Sequence, residues 1–228
     1  MELTFKITYD TGTKEFDGLD MYYGSHSLAA ISEILLLSIH ASIHEEVIVQ
    51  APAAKGFRVV LGRSYTGSLD QLIQLVVTDH QTQNLLENLG KNGLYDFMKY
   101  LLSGCLGIPV LLSNRKAKQK IQALMRQNDD LVDRLERAMV RAHLPVKNQG
   151  YAVSVSLGRT PIVSFDEDTL NYLETEVVES DTEVVGVAVS RFNARTGTGR
   201  FITSIDSFSH SFAPMIDLGD YEKTIMAD

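Results

Sequence analysis

The stretch from Asn114 to His143, NRKAKQKIQALMRQNDDLVDRLERAMVRAH, constrains the fold of this chain more than any other. Its apolar residues Ile121, Leu124, Met125, Leu131, Val132, Leu135, Ala138 and Met139 recur three and four apart, which lines one face of a helix. No proline or glycine interrupts it before Pro145. The spacing predicts one long amphipathic helix, and such a helix needs a cover for its apolar stripe. Two covers are open. Read as heptads, Ile121, Asn128, Leu135 and Ala142 share one seam position, with Leu124 or Met125, Leu131 or Val132, and Ala138 or Met139 at the other. A second copy of the chain can then complete a coiled coil, its register fixed by the polar Asn128. The chain's own apolar segments can supply the cover instead.

Such segments lie on both sides. Leu3, Phe5, Ile7 and Tyr9 alternate with polar residues as in a half-buried strand, and Leu28 to Ile43 forms a broadly apolar helix from about Ser25. Val47–Gln50, Phe57–Gly62 and Leu69–Val77 read as strands between Pro52, Gly56, Gly62 and Gly67. A second apolar helix runs from about Gly93 to Leu106. Beyond the long helix, Tyr151–Leu157, Ile162–Val163, Glu183–Phe192, Arg200–Ile205 and Ser209–Ile216 read as short strands, with a short helix over Asp166–Tyr172. The fold class is therefore α+β. Residues 1–113 are expected to form an antiparallel sheet with packed helices, residues 114–146 the connecting helix, and residues 147–228 a small β-barrel of SH3-like or OB-like type.

Charge limits the partners. Residues 1–113 hold 7 basic and 12 acidic side chains, residues 114–160 hold 10 and 4, and residues 161–228 hold 4 and 13. A protein that coats nucleic acid is basic over a whole face. Here only the joint is basic, and Asp129, Asp130, Asp133 and Glu136 are placed to pair with its arginines. Arg115, Lys116, Lys118 and Lys120 nevertheless form a candidate anion or nucleic-acid contact. So do Arg191, Arg195 and Arg200 in the glycine-containing turn RFNARTGTGR. The uncharged run Tyr100–Asn114 is interrupted by Pro109 and falls short of the roughly twenty residues a membrane span needs. A lone cysteine, Cys105, closes no intramolecular disulfide, and MELTFKITYD has no signal-peptide pattern, so the expected location is the cytoplasm.

Signals for chemistry are sparse. His40 and His44 stand four apart on the first helix, a spacing that brings two imidazoles toward one metal, but a zinc-protease motif would need Glu where Ala41 stands. Cys105 lies on an apolar helix and reads as inert core. Asp166, Glu167 and Asp168 read as the start of a helix rather than a cation loop. No nucleophile elbow, P-loop, dinucleotide fingerprint or C-x-x-C occurs, so neither catalytic residues nor a cofactor are expected.

The first helix, the segment APAAKGFRVVLG from Ala51 to Gly62 and the pair Gly67-Ser68 together resemble the N-terminal module of a bacterial two-module family of unknown function. RFNARTGTGR and the SFAP of Ser211 to Pro214 are similar to the small barrel that accompanies that module. The resemblance implies a setting in the phage-facing part of bacterial genomes, hence antiviral defence, and implies no catalytic residue. Taken with the residues, it gives the expectation of a cytoplasmic, non-catalytic assembly or sensor protein. Such a protein would self-associate through Ile121, Leu124, Asn128, Leu131, Leu135 and Met139 and recognise a protein or small ligand. The competing classes are a nucleic-acid-binding module built on the basic helix and barrel, and a hydrolase whose acid and base meet only in the folded chain.

Overall fold

A computed structural model describes residues 3–13, 15–48, 50–65, 69–124, 131–175, 184–192, 198–203, 210–213 and 218–227. The chain forms two compact units: Met1–Arg126 with Asp130–Glu176, and Gln127–Asp129 with Val177–Asp228.

The first unit is built around β1 (Leu3–Asp10), the middle strand of a five-stranded antiparallel sheet. Its period-two alternation puts Leu3, Phe5, Ile7 and Tyr9 in the core and leaves Thr4, Lys6 and Thr8 half-buried on the other face. The remaining strands are β2 (Phe57–Tyr65), β3 (Leu69–Val77), β4 (Ala152–Leu157) and β5 (Thr160–Phe165), in the order β2-β3-β1-β4-β5. On one side Phe5 pairs with Ile73, and on the other with Leu157.

Five main-body helices share the sheet's hydrophobic core. The first, α1 (Met21–His44), begins where the Asp20 carboxylate accepts from the backbone N–H groups of Tyr22 and Tyr23. Then come α2 (His80–Cys105), α3 (Arg115–Leu124), α4 (Leu131–Ala142) and α5 (Leu144–Gln149), before the short peripheral α6 (Glu167–Glu174). In α2, Gly90 has φ 74° and ψ 164°, which breaks the helical path without ending the helix.

Several expectations change. β4 and β5, expected in a C-terminal barrel from residue 147, pair with β1 in the main sheet, so the first unit runs past 113 and 146 to Glu176. One buried face suffices for either arrangement, and alternation alone does not say which sheet a strand joins. Val47–Gln50 is not a strand over its described residues, and α2 begins at His80, where Asp79 caps it. The Asn114–His143 stretch is helical in α3 and α4, while residues 125–130, Met125 and Asn128 among them, lie outside the described residues.

In the second unit the described residues form a three-stranded antiparallel sheet of β6 (Ala188–Phe192), β7 (Gly199–Ile202) and β8 (His210–Phe212), followed by α7 (Asp220–Ala227). Among the described residues this sheet is open and does not close into the barrel expected there. Phe192 on β6 and Phe212 on β8 stack with centroids 6.4 Å apart, across Gly199, with which both are paired.

Candidate ligand cleft

The residue pattern of α3 decides where its cations go. Ala117, Ile121 and Leu124 are buried, which turns Lys116, Gln119 and Lys120 away from the core on adjoining turns. The start of α3 is fixed twice. Asn114 accepts from the backbone N–H groups of Lys116 (3.0 Å) and Ala117 (3.1 Å), while Asp96 on α2 holds the backbone N–H of Asn114 and the hydroxyl of Ser113.

Lys120 then reaches the C-terminal end of α1. Its Nζ donates to the Ile43 carbonyl at 3.1 Å and to Glu45 Oε1 at 2.9 Å, with only 13% of its side chain exposed. An ammonium there satisfies a terminal carbonyl and complements the helix dipole. Lys116 reaches α2 instead, where Nζ donates to the Asn88 carbonyl and to Asn88 Oδ1 (2.9 Å), just before the kink at Gly90. Between these contacts lies a cleft of about 370 Å³ lined by Glu45, Leu85, Asn88, Leu89, Lys116, Gln119 and Lys120. Its size falls within the range of small-molecule sites. Each lysine ammonium has three donors and commits two here, and the exposed Gln119 adds an amide. The Glu45 carboxylate, paired with Lys120, shares the lining, and Leu85 and Leu89 add apolar surface.

Of the other basic residues proposed for an anion contact, Arg115 and Lys118 are exposed on α3. Arg191 and Arg200 are paired in the ladder of the second unit, where Arg200 also accepts from the Ser190 hydroxyl through its carbonyl. Arg195 lies outside the described residues.

The stripe proposed as a seam between chains is used within this one. Ile121, Leu124, Leu131, Leu135 and Met139 all belong to the chain's own core. α4 is held to α1 by a hydrogen bond from the Ser27 hydroxyl to the Ala142 carbonyl (2.9 Å) and an ion pair between Arg141 and Glu33. These five residues are therefore covered within the chain, while Val132 is 47% exposed and Met125 and Asn128 lie outside the described residues.

His40 and His44 do meet, with ring centroids 4.6 Å apart. Each faces a backbone carbonyl: His40 Nδ1 that of Glu46 at 3.2 Å, and His44 Nε2 that of Lys55 at 3.1 Å. Among the described residues no group of three or more His, Cys, Asp or Glu side chains is placed to hold a metal. His40 is fully buried, and its Nε2 has no hydrogen-bond partner. Burial lowers its pKa, against the raising effect of the Glu46 carbonyl. Cys105 is buried too, and burial pushes its thiol up to about 12, with Glu136 adding to the shift.

Sequence reasoning passed over His143. Its ring is fully buried, with Nδ1 2.7 Å from the Met139 carbonyl and Nε2 2.9 Å from the Thr169 hydroxyl. Asp166 caps α6 as its position implied. Among the described residues α1 alone is long and apolar enough to cross a membrane, and most of its apolar window is buried inside the chain, as in a core helix.

The chain belongs to the family described as "Domain of unknown function (DUF7946)", which matches residues 5–174. That span ends with α6 and coincides with the first compact unit. No curated protein and no solved structure matches the chain.

Proposed function

We propose that the family domain is a non-catalytic recognition module that takes a small carboxylate- or phosphate-bearing ligand in the cleft between α1, α2 and α3. The supporting observation is the pair Lys116 and Lys120, fixed one turn apart beside a cavity of about 370 Å³, each with an ammonium proton uncommitted. The lone buried Cys105 is compatible with a reducing cytoplasm, where such a sensor would act. The family resemblance extends the reading to antiviral defence.

The test is a panel of small mono- and dicarboxylates and phosphate esters, screened by thermal shift and confirmed by calorimetry. A ligand at a hundred times its Kd stabilises by about 2.7 kcal/mol, or about 5–10 °C for a domain of this size. Gln119→Glu places a negative charge at the cleft wall and should abolish the shift with little change in basal stability. If no compound shifts the midpoint, or if the shift survives in Gln119→Glu, the cleft is not the site. Phage challenge of cells carrying the wild-type or the Gln119→Glu gene tests the defence extension.

A further inference from the structure

We infer that Asp166, Thr169 and His143 form a proton relay. It lets a buried imidazole at the α4–α5 joint take a proton while the chain stays folded, and so couples that joint to the N-cap of α6. The geometry carries this. His143 is the single residue between α4 and α5, its ring edge-on to Phe165 of β5 with centroids 5.0 Å apart. Its Nδ1–H donates to Met139, so the neutral ring presents a bare Nε2 to the Thr169 hydroxyl. That hydroxyl also accepts from the Asp166 backbone N–H at 2.8 Å and lies 3.0 Å from Asp166 Oδ1.

With neutral His143, the one hydroxyl proton goes to Nε2, and the Thr169 oxygen faces the Asp166 carboxylate without a proton between them. A proton arriving at the half-buried Asp166 Oδ1 can pass to Thr169 Oγ1 as the hydroxyl's own proton passes to Nε2. The carboxylate is regenerated and the charge is now on the ring. In the resulting state Nε2–H donates to Thr169, whose hydroxyl donates to Asp166, and every group has a partner. Asp166 Oδ1 then receives both the hydroxyl and the Thr169 backbone N–H, tightening the α6 cap.

The charges facing the ring are Asp166 and Glu174 of α6, and both favour its protonation. Lys147 of α5 is bound to Glu174 at 2.6 Å, Glu33 of α1 is committed to Arg141 of α4, and β5 brings no charged residue. Burial works in the opposite direction and holds the ring neutral at neutral pH.

The experiment is an NMR titration of the His143 ring in the intact chain, with far-UV circular dichroism at each pH. The expected result is a reversible titration of His143 in the folded protein. Thr169→Val keeps the shape but removes the relay oxygen. In the foot of the titration its protonated fraction at a given pH should fall about tenfold, the factor one lost charge-assisted hydrogen bond carries. Thr169→Ser should titrate like the wild type. Asp166→Asn keeps a good N-cap and should also reduce protonation, which preserves the test if Thr169→Val fails to fold. A wild-type ring that takes its proton only as the chain unfolds overturns the inference, as does wild-type titration in both Thr169→Val and Asp166→Asn.

Discussion

Leu135→Ala tests whether the amphipathic stretch is a core element or an interface. Leu135 is 0% exposed, and its neighbours on the same face of α4, Leu131, Ala138 and Met139, are 4%, 0% and 0% exposed. Truncation there removes fully buried carbons and opens a cavity between helices fixed by other contacts. The loss expected for such a site is about 3–4 kcal/mol. For a domain of this size each kcal/mol lowers the thermal midpoint by about 2–4 °C, so the drop should be about 6–16 °C.

The assay is thermal unfolding by circular dichroism at two protein concentrations about twentyfold apart. Packing within one chain makes the wild-type midpoint independent of concentration, whereas a seam between chains makes it rise with concentration by mass action. A loss below about 1 kcal/mol, or a wild-type midpoint that climbs with concentration, would refute burial of the stripe inside its own chain.

Three further outcomes follow from single sites. His40 is neutral in the folded chain but takes a proton near pH 6.5 when unfolded, so its contribution is complete above that pH and is lost as pH falls toward the lower folded value. His40→Leu should flatten part of the decline in denaturant-measured stability between pH 7 and pH 5, and an unchanged slope would count against a neutral buried ring. Gly56 has φ +77°, and a Cβ there would run into Thr82 and Asp79, the pair that caps α2; Gly90 has φ +74° with no atom in the way. Gly56→Ala should therefore cost about 2–3 kcal/mol in chemical denaturation, and a loss below about 1 kcal/mol would contradict the clash; Gly90→Ala should cost about 1–3 kcal/mol from its backbone alone, since φ 74° with ψ 164° is a region essentially reserved for glycine. Cys105, its thiol pushed up to about 12, should resist iodoacetamide at pH 8 in the native protein and react fully in denaturant, and rapid native labelling would show it to be accessible.

The parts of the fold that were legible are those where one period settles both structure and burial. β1 reads directly from Leu3, Phe5, Ile7 and Tyr9, and α1 from its broad apolar surface, because each element buries what its own spacing displays. β4 has an equally clear alternation, yet its partner is β1, more than 140 residues earlier, and a strand's pattern names a face and not a neighbour. The first half of α2 was missed for a different reason. HQTQN looks polar and loop-like, but Leu85, Leu86 and Leu89 follow it, and Asp79 supplies a cap whose carboxylate accepts from the Thr82 backbone N–H at 2.7 Å.

The same division runs through the sites. The cations of α3 were visible as a group, and their helical spacing placed Lys116 and Lys120 together. Their partners, Asn88 and Ile43, are 28 and 77 residues away in sequence and come from other helices. Residue type announces the charge, and only tertiary structure tells whether that charge is solvated, spent on a carbonyl, or partly left over for a ligand. The buried histidines make the point more sharply. His40 and His143 each lie at or near a helix end, each faces a backbone carbonyl through Nδ1, and burial lowers the pKa of both. What separates them is the group facing Nε2. The fold brings the Thr169 hydroxyl from 26 residues away to His143, and among the described residues it brings His40 none. A second proton on His40 would thus be a buried donor without an acceptor, while on His143 it completes a chain of hydrogen bonds to Asp166. Two side chains that read alike in sequence thus differ in whether a second ring proton finds an acceptor.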